Sequence, residues 1–528
     1  MSGTRLNRRR KPLWQRLAAT ALAALMALPG AAPAQVRLPS LGESASSDLT
    51  VGAEKRLGDQ IMLMGRRDPS YYDDPVLLDY LQSLWNPLVA AARQRGDITA
   101  DTDEAFAWEI FLMRERSVNA FALPGGYVGV HLGLIALTTA RDQLASVLAH
   151  ELSHVTQRHI ARSIAPQQTA SMVALAAMIL GLIAASQTGN ADMANAALAS
   201  GQGAAAQGQL NFSRDMEREA DRVGYGILGA AGFSTAGMGA MFEKMDFATR
   251  LSDNGSFPYL RSHPLTVDRI SEARSRALLD SGAPPGPPLH HALMQMRARV
   301  LMDDSALALQ RLGGETSSPL LVDRVAALYG GAMAASLLND HARAEAQASE
   351  ALRLAATATP REPAAEAALH LLLAQGRLAR GDAAGSLAAL DTMPAASGMR
   401  PALLLRARAA VDLHRAAGGT GAATEGLRRV TESLQTWLAD HAQDAAAWEA
   451  LAATSQALGL DLRSMRAGAE ARAAVGDLSG AIDRLRAAQA VSRKEGGQDF
   501  IEASVIDTRL RQLVAQRRQI ALEARNGN

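Results

Sequence analysis

The run Ser146-Val-Leu-Ala-His-Glu-Leu-Ser-His-Val155 constrains this chain more than any other stretch, because it has chemical meaning only as a helix. Residues four apart leave one face of a helix, so His150 and His154 present both imidazoles to one point, with Glu151 beside them. Two imidazoles so placed can share a Zn²⁺ at roughly 2.0–2.1 Å per nitrogen, while the Glu151 carboxylate stays free to act as a base. Leu144, Val147 and Leu148 recur at helical spacing, and Thr139 with Asp142 three residues on reads as a capping-box start. A catalytic zinc normally has three protein ligands and an open position, so the fold must bring a third ligand from elsewhere.

Glu217 is the candidate third ligand. It lies in the charged helical stretch Phe212-Ser-Arg-Asp-Met-Glu-Arg-Glu-Ala-Asp-Arg-Val-Gly224, where Glu217 and Asp221 share a face. That spacing suits a metal ligand plus a carboxylate that orients a zinc-bound imidazole. Glu219 is the competing acid, and the sequence does not separate the two. Before the helix, Phe106, Trp108, Ile110 and Leu112 alternate as in a half-buried strand, and Pro124-Gly125-Gly126 introduces a second strand through Val130. A strand beside the metal would bind an extended peptide through backbone hydrogen bonds; the other reading is that Gly125 and Gly126 only make a turn. His131 reads as a structural residue at a strand end.

Four segments in order carry a resemblance to a known family. They are Asn119-Ala-Phe-Ala-Leu-Pro-Gly-Gly-Tyr-Val-Gly-Val130, His150-Glu-Leu-Ser-His154 with its Val-Thr-Gln-Arg-His159 tail, Glu217-Arg-Glu-Ala-Asp221, and His263-Pro-Leu-Thr-Val-Asp-Arg-Ile270. With these, the chain resembles the M48 family of zinc metallopeptidases over roughly residues 50 to 280, in particular its periplasmic members with a tetratricopeptide domain. The resemblance implies one Zn²⁺ per chain on His150, His154 and Glu217, with Glu151 as base and Asp221 orienting an imidazole. It brings in His263, on the Pro-fixed loop Ser262-His263-Pro264-Leu265, as a catalytic-site residue. His263 either stabilises the oxyanion or fills the open zinc position and holds the enzyme latent. Arg269 is either a structural ion-pair residue or one that positions substrate. The implied function is zinc endopeptidase activity on misassembled or unfolded proteins, with outer-membrane β-barrel proteins and their assembly machinery as partners. The rival expectation is a periplasmic chaperone or assembly scaffold whose zinc site is latent or structural.

Residues 1–34 read as a secretory signal peptide: Arg5, Arg8, Arg9, Arg10, Lys11 and Arg16 precede an apolar run from Leu17 to Leu28, and Ala32-Pro33-Ala34 follows. Its removal changes 54 basic against 53 acidic residues to 48 against 53, a mildly acidic balance that argues against nucleic acid as partner. The chain has no cysteine, hence no disulfide framework and no lipid-anchoring thiol. These features predict a periplasmic location. The uncharged run 172–185 is shorter than the about 20 residues needed to span a bilayer. It is expected as a buried helix, or as a surface touching membrane or a nascent outer-membrane strand. The small-residue stretch 201–208 is a candidate lid.

Residues 282–289 read as a Pro-rich linker between a peptidase domain at 35–281 and a helical domain at 290–528. Asn339-Asp340, Gly381-Asp382 and Gly476-Asp477 each look like the turn between two helices of a tetratricopeptide repeat, and Trp448 with Leu451 resembles the opening of another unit. The turn spacings of 42 and 95 residues fit no clean period, so four to six irregular repeats are expected. The predicted fold is mainly α. A zincin-like metallopeptidase domain of helices with a small β-sheet is followed by an all-α, tetratricopeptide-like helical-repeat domain.

Overall fold

The computed structural model describes residues 49–163, 213–251, 257–279, 285–286, 288–312, 318–394, 399–494 and 499–526. The expected signal peptide, the 172–185 run, the 201–208 stretch and linker residues 282–284 and 287 lie outside the described residues.

Helix α1 (Val51–Gly65) opens on Thr50, and α2 (Pro75–Arg95) on Asp74, whose carboxylate accepts from Leu77 N at 2.8 Å. Between and after them come β1 (Tyr71–Tyr72), α3 (Ala100–Ala105), β2 (Glu109–Met113), β3 (Ala120–Leu123) and β4 (Tyr127–His131). The sheet order is β1-β2-β4-β3, with β2 and β4 parallel and the other two pairings antiparallel. β3 is therefore an edge strand. Gly125 and Gly126, at φ 77° and 88°, make the tight β3–β4 turn, in the left-handed region that favours glycine.

The strand expected at 106–112 is shorter and later than the alternation suggests. Phe106 ends α3, Trp108 takes a left-handed φ of 49°, and β2 proper is buried on both faces. Ile110 and Leu112 join the main core, while Phe111 and Met113 join a second cluster with Leu57, Ile61 and Tyr127. α1 covers one side of the sheet, so an apolar run replaces the half-buried pattern.

Helix α4 (Leu132–Leu137) leads into α5 (Arg141–Thr156), which carries the histidine motif, and then α6 (His159–Ser163). The expected Thr139–Asp142 capping box does not form. Gln143 Oε1 accepts from Thr139 N at 2.9 Å instead, and Asp142 ties distant chain to the helix start, accepting from Ser234 N at 3.0 Å and Gly286 N at 3.1 Å. α7 (Arg214–Ala230), α8 (Ala236–Leu251), α9 (Tyr259–Ser262) and α10 (Val267–Leu279) complete the surroundings of α5. α7 crosses α5 closely at Gly224: a Cβ there would stand 3.0 Å from the Ala149 carbonyl oxygen.

The remainder is helical. α11 (Leu289–Met302) and α12 (Ala306–Leu312) precede hairpins made of α13 (Leu321–Leu337) with α14 (His341–Ala355) and α15 (Pro363–Ala379) with α16 (Ala383–Asp391). Next come α17 (Met399–Ala416) with α18 (Gly421–Asp440), α19 (Ala445–Ala457) with α20 (Asp461–Ala474), and α21 (Leu478–Lys494) with α22 (Phe500–Asn526). The three turns marked in the sequence are helix-to-helix turns: Asn339, Gly381 and Gly476 take φ of 62°, 89° and 78°. Asp340 and Asp382 then cap α14 and α16, and Asp477 accepts from Gly480 N at 2.9 Å. One apolar core runs from Val76 of α2 through α5 and α11 to Leu390 of α16, whereas the later hairpins have small clusters of their own. Two arginines fasten helices to the segment before α2. Arg297 grips Asp74 with two bonds of 2.7 Å, and Arg400 bridges Asp73 (2.7 and 2.9 Å) and Asp444 (2.8 and 2.9 Å). No helix among the described residues is long and apolar enough to cross a membrane.

Candidate metal centre

One helical turn of α5 places His150 and His154 side by side, with Nε2 atoms 3.0 Å apart. α7 delivers Glu217 opposite them: Oε2 lies 3.5 Å from His150 Nε2 and Oε1 3.5 Å from His154 Nε2. The loop after α9 adds His263, whose Nδ1 is 3.4 Å from His150 Nε2 and 2.9 Å from Glu217 Oε1. The four side chains offer donor atoms all within 4.8 Å of one another. Four ligands around a tetrahedral zinc would sit roughly 3.3 Å apart, given about 2.0–2.1 Å from metal to each donor. The observed separations bracket that edge, so the residues present fit the metal.

Burial and charge agree with this fit. His150, Glu151, His154, Glu217 and His263 are each at most 2% exposed. Burial alone would raise Glu217, but His263 and His150 outweigh it and hold the carboxylate far below its usual range. Burial would lower His150, yet Asp221 and Glu217 push it up to about 9. His154 goes the other way, well below the ordinary imidazole range, through burial and then the neighbouring His150 and His263. Burial raises Glu151, which lies beside the donors with Oε1 at 3.6 Å from His263 Nε2.

Support for the donors comes from further out. Asp221 Oδ1 is 3.0 Å from His150 Nδ1, which leaves the other ring nitrogen for the centre. Arg269 holds Asp221 by two bonds of 2.6 and 2.8 Å, reaches Glu217 Oε2 at 2.8 Å, and donates to the Pro264 carbonyl at 2.8 Å. It thus ties the His263 loop to α7. Tyr259, 1% exposed, stacks on His263 with ring centroids 4.6 Å apart.

The structure brings His150, Glu151, His154, Glu217, Asp221 and His263 together. It puts Glu219 outside the donor cluster, 3.0 Å from His159 Nε2 and 2.9 Å from Arg162 Nη1. His131 is buried away from the donors, with Nδ1 2.8 Å from Ser117 Oγ. Sequence reasoning left Arg269 undecided, gave no part to Tyr259, and treated His159 only as the tail of the motif. The Arg269 signal lay in its place six residues after His263, but its partner Asp221 is 48 residues away. Edge strand β3 packs against α5, so a strand does lie beside the site, though not the one the alternation pointed to.

Residues 81–277 match the sequence profile of peptidase family M48. A putative beta-barrel assembly-enhancing protease of Vibrio cholerae is 40% identical over 250 residues, covering 46% of this chain and 48% of the relative. The beta-barrel assembly-enhancing protease of Escherichia coli K12 is 34% identical over 270 residues, 51% of this chain and 53% of the relative. The mitochondrial metalloendopeptidase OMA1 of Schizosaccharomyces pombe is 33% identical over 163 residues, 31% and 44% of the two chains. The chain spans about half the length of the first two relatives. The region similar to that family contains all the donors.

Proposed function

We propose that the protein is a zinc-dependent endopeptidase of the periplasm that cleaves misassembled or unfolded proteins, outer-membrane β-barrel proteins among them. One observation carries the reaction: Glu151 is buried on the same helix as two of four converging donors, where a merely structural metal site needs no extra carboxylate. The names of the bacterial relatives support the substrate class.

His150, His154 and Glu217 would hold the zinc, whose charge would acidify a water and polarise the scissile carbonyl. Glu151 takes a proton from the attacking water as the new C–O bond forms. It returns that proton to the amide nitrogen as the C–N bond breaks. Asp221 and Arg269 keep His150 and Glu217 in place during both steps. β3 aligns the extended substrate as an added strand. His263 fills the fourth corner of the donor set and marks a latent arrangement, which opens when the His263 side chain leaves. Helices from residue 290 onward form the tetratricopeptide-like array that docks substrate or assembly machinery.

A second reading, a chaperone or assembly scaffold with a latent zinc site, is favoured by the closed four-donor arrangement alone. The two separate in one experiment. Zinc-loaded protein is incubated with an unfolded outer-membrane β-barrel protein beside a Glu151→Gln variant that retains zinc. Cleavage by the parent only is expected. Cleavage by both would overturn the role of Glu151. No cleavage by the parent and none after His263→Ala would leave the scaffold reading standing.

A further inference from the structure

The two imidazoles of α5 are backed differently. His150 Nδ1 meets a carboxylate directly, and that carboxylate is gripped by an arginine: Asp221 at 3.0 Å, then Arg269. His154 Nδ1 instead meets another imidazole, His159 Nδ1, at 2.9 Å. His159 Nε2 then lies 3.0 Å from Glu219 Oε2, which accepts from Arg162 at 2.9 Å. Both chains thus end in a carboxylate–arginine couple, but one has an imidazole inserted.

The backbone is bent to make that insertion. α5 ends at Thr156, and Arg158 takes a left-handed φ of 52°, uncommon for a residue with a side chain. Arg158 is held there by Glu54, itself 2% exposed, through a 2.8 Å bond from Nε. The turn carries His159 back beneath the motif helix, where its ring is fully buried, 4.9 Å from that of His154. Backbone strain of this kind persists where surrounding structure enforces it, and it clusters at functional sites.

We propose that His159 is a positioning residue for the metal centre, an imidazole adapter that fixes the tautomer and ring orientation of His154. The proposal rests on the reading of the site as a zinc centre. When His154 gives its Nε2 lone pair to the metal, its proton sits on Nδ1 and is donated to His159 Nδ1. His159 must then carry its own proton on Nε2 and donate it to Glu219. With both imidazoles neutral, only one order of protons along the chain satisfies every member, and it is the order that leaves His154 Nε2 unprotonated.

The test is zinc affinity of the full chain, measured by competition with a chromophoric chelator, for the wild type and three folded variants. His159→Leu removes the acceptor, and about 10–100-fold weaker zinc binding is expected. His159→Asn keeps an oxygen acceptor where Nδ1 stood and recovers most of that loss. His159→Gln places its acceptor where Nε2 stood, toward Glu219, and recovers little. The cobalt(II) absorption spectrum should shift in the Leu and Gln variants and resemble wild type in the Asn variant. Wild-type affinity in all three variants overturns the proposal. Equal weakening in Asn and Gln overturns it too, because loss of packing then accounts for the effect. The Asn–Gln comparison stands even if the Leu variant fails to fold. A wild type that takes up no zinc overturns the zinc reading itself, and this proposal with it.

Discussion

Around α5 and α7 the protein buries His150, Glu151, His154, His159, Glu217, Asp221, His263 and Arg269 within one neighbourhood, whereas the hairpins from α17 to α22 bury mostly alanine and leucine. Burying ionisable groups is costly where a partner is lost, so in the first region the loss of one partner is felt by its neighbours. The second is a row of small apolar contacts in which each hairpin leans mainly on its neighbours. Chemistry is therefore concentrated where a single lost partner is costly, and the array is built where single losses stay local.

The largest effect should come from the network itself. Glu151→Gln is expected to reduce hydrolysis by roughly 10²–10⁴-fold with zinc content unchanged by metal analysis. Loss of zinc together with activity would mean that the carboxylate also holds the donors in place. Close behind is the buried pair beneath the array. Asp74→Ala strands Arg297, 5% exposed in its side chain, and should cost about 3–5 kcal/mol in denaturant unfolding. Removing Glu350 from its exposed pair with Arg353 should leave the unfolding midpoint where it was.

The pH dependence sharpens the same contrast. His291, at the seam between α11 and α2, takes the hydroxyl of Tyr80 at 2.6 Å and faces the Thr138 carbonyl at 3.1 Å. Burial lowers it to about 4, against a small opposing pull from that carbonyl. A depressed histidine favours the fold while neutral. Its contribution is therefore complete above pH 6.5, falls as the unfolded chain protonates below that, and levels off near pH 4. A loss on the order of 3 kcal/mol across that window is expected. His291→Asn, less stable at pH 7.5, should show a flatter decline between pH 6.5 and pH 4; an unchanged slope would exclude His291 as the source.

The smallest effects separate two glycines. Gly224→Ala forces α7 off α5 and should cost about 1–3 kcal/mol and weaken zinc binding. Gly376→Ala in α15 meets nothing within 4 Å and should stabilise by about 0.5–1 kcal/mol. Equal signs for the two would break the comparison.

How much of this was legible in the sequence follows from distance along the chain. His150, Glu151 and His154 declare themselves because one helical turn is a local rule, and the Gly-Asp turns of the array do so for the same reason. Glu217 against Glu219 was undecidable, since two residues on a charged helix differ only by what lies opposite. His159 carried the same handicap: its meaning depends on a bent backbone at Arg158 that no residue type announces. Strand β2 was misjudged because α1 covers the side that alternation assigns to solvent. Arg269 looks like any surface arginine until Asp221 arrives from another helix.

The neighbouring aspartates at 73 and 74 have one more consequence. Each grips an arginine from a different helix of the array, Arg400 on α17 and Arg297 on α11. Any swing of the later hairpins about the peptidase has to pull on both grips, which sit on adjacent residues and share no slack. The joint is a weld rather than a hinge: α11 and α17 are both tied to the two residues that lead into α2, which sets the offset between them.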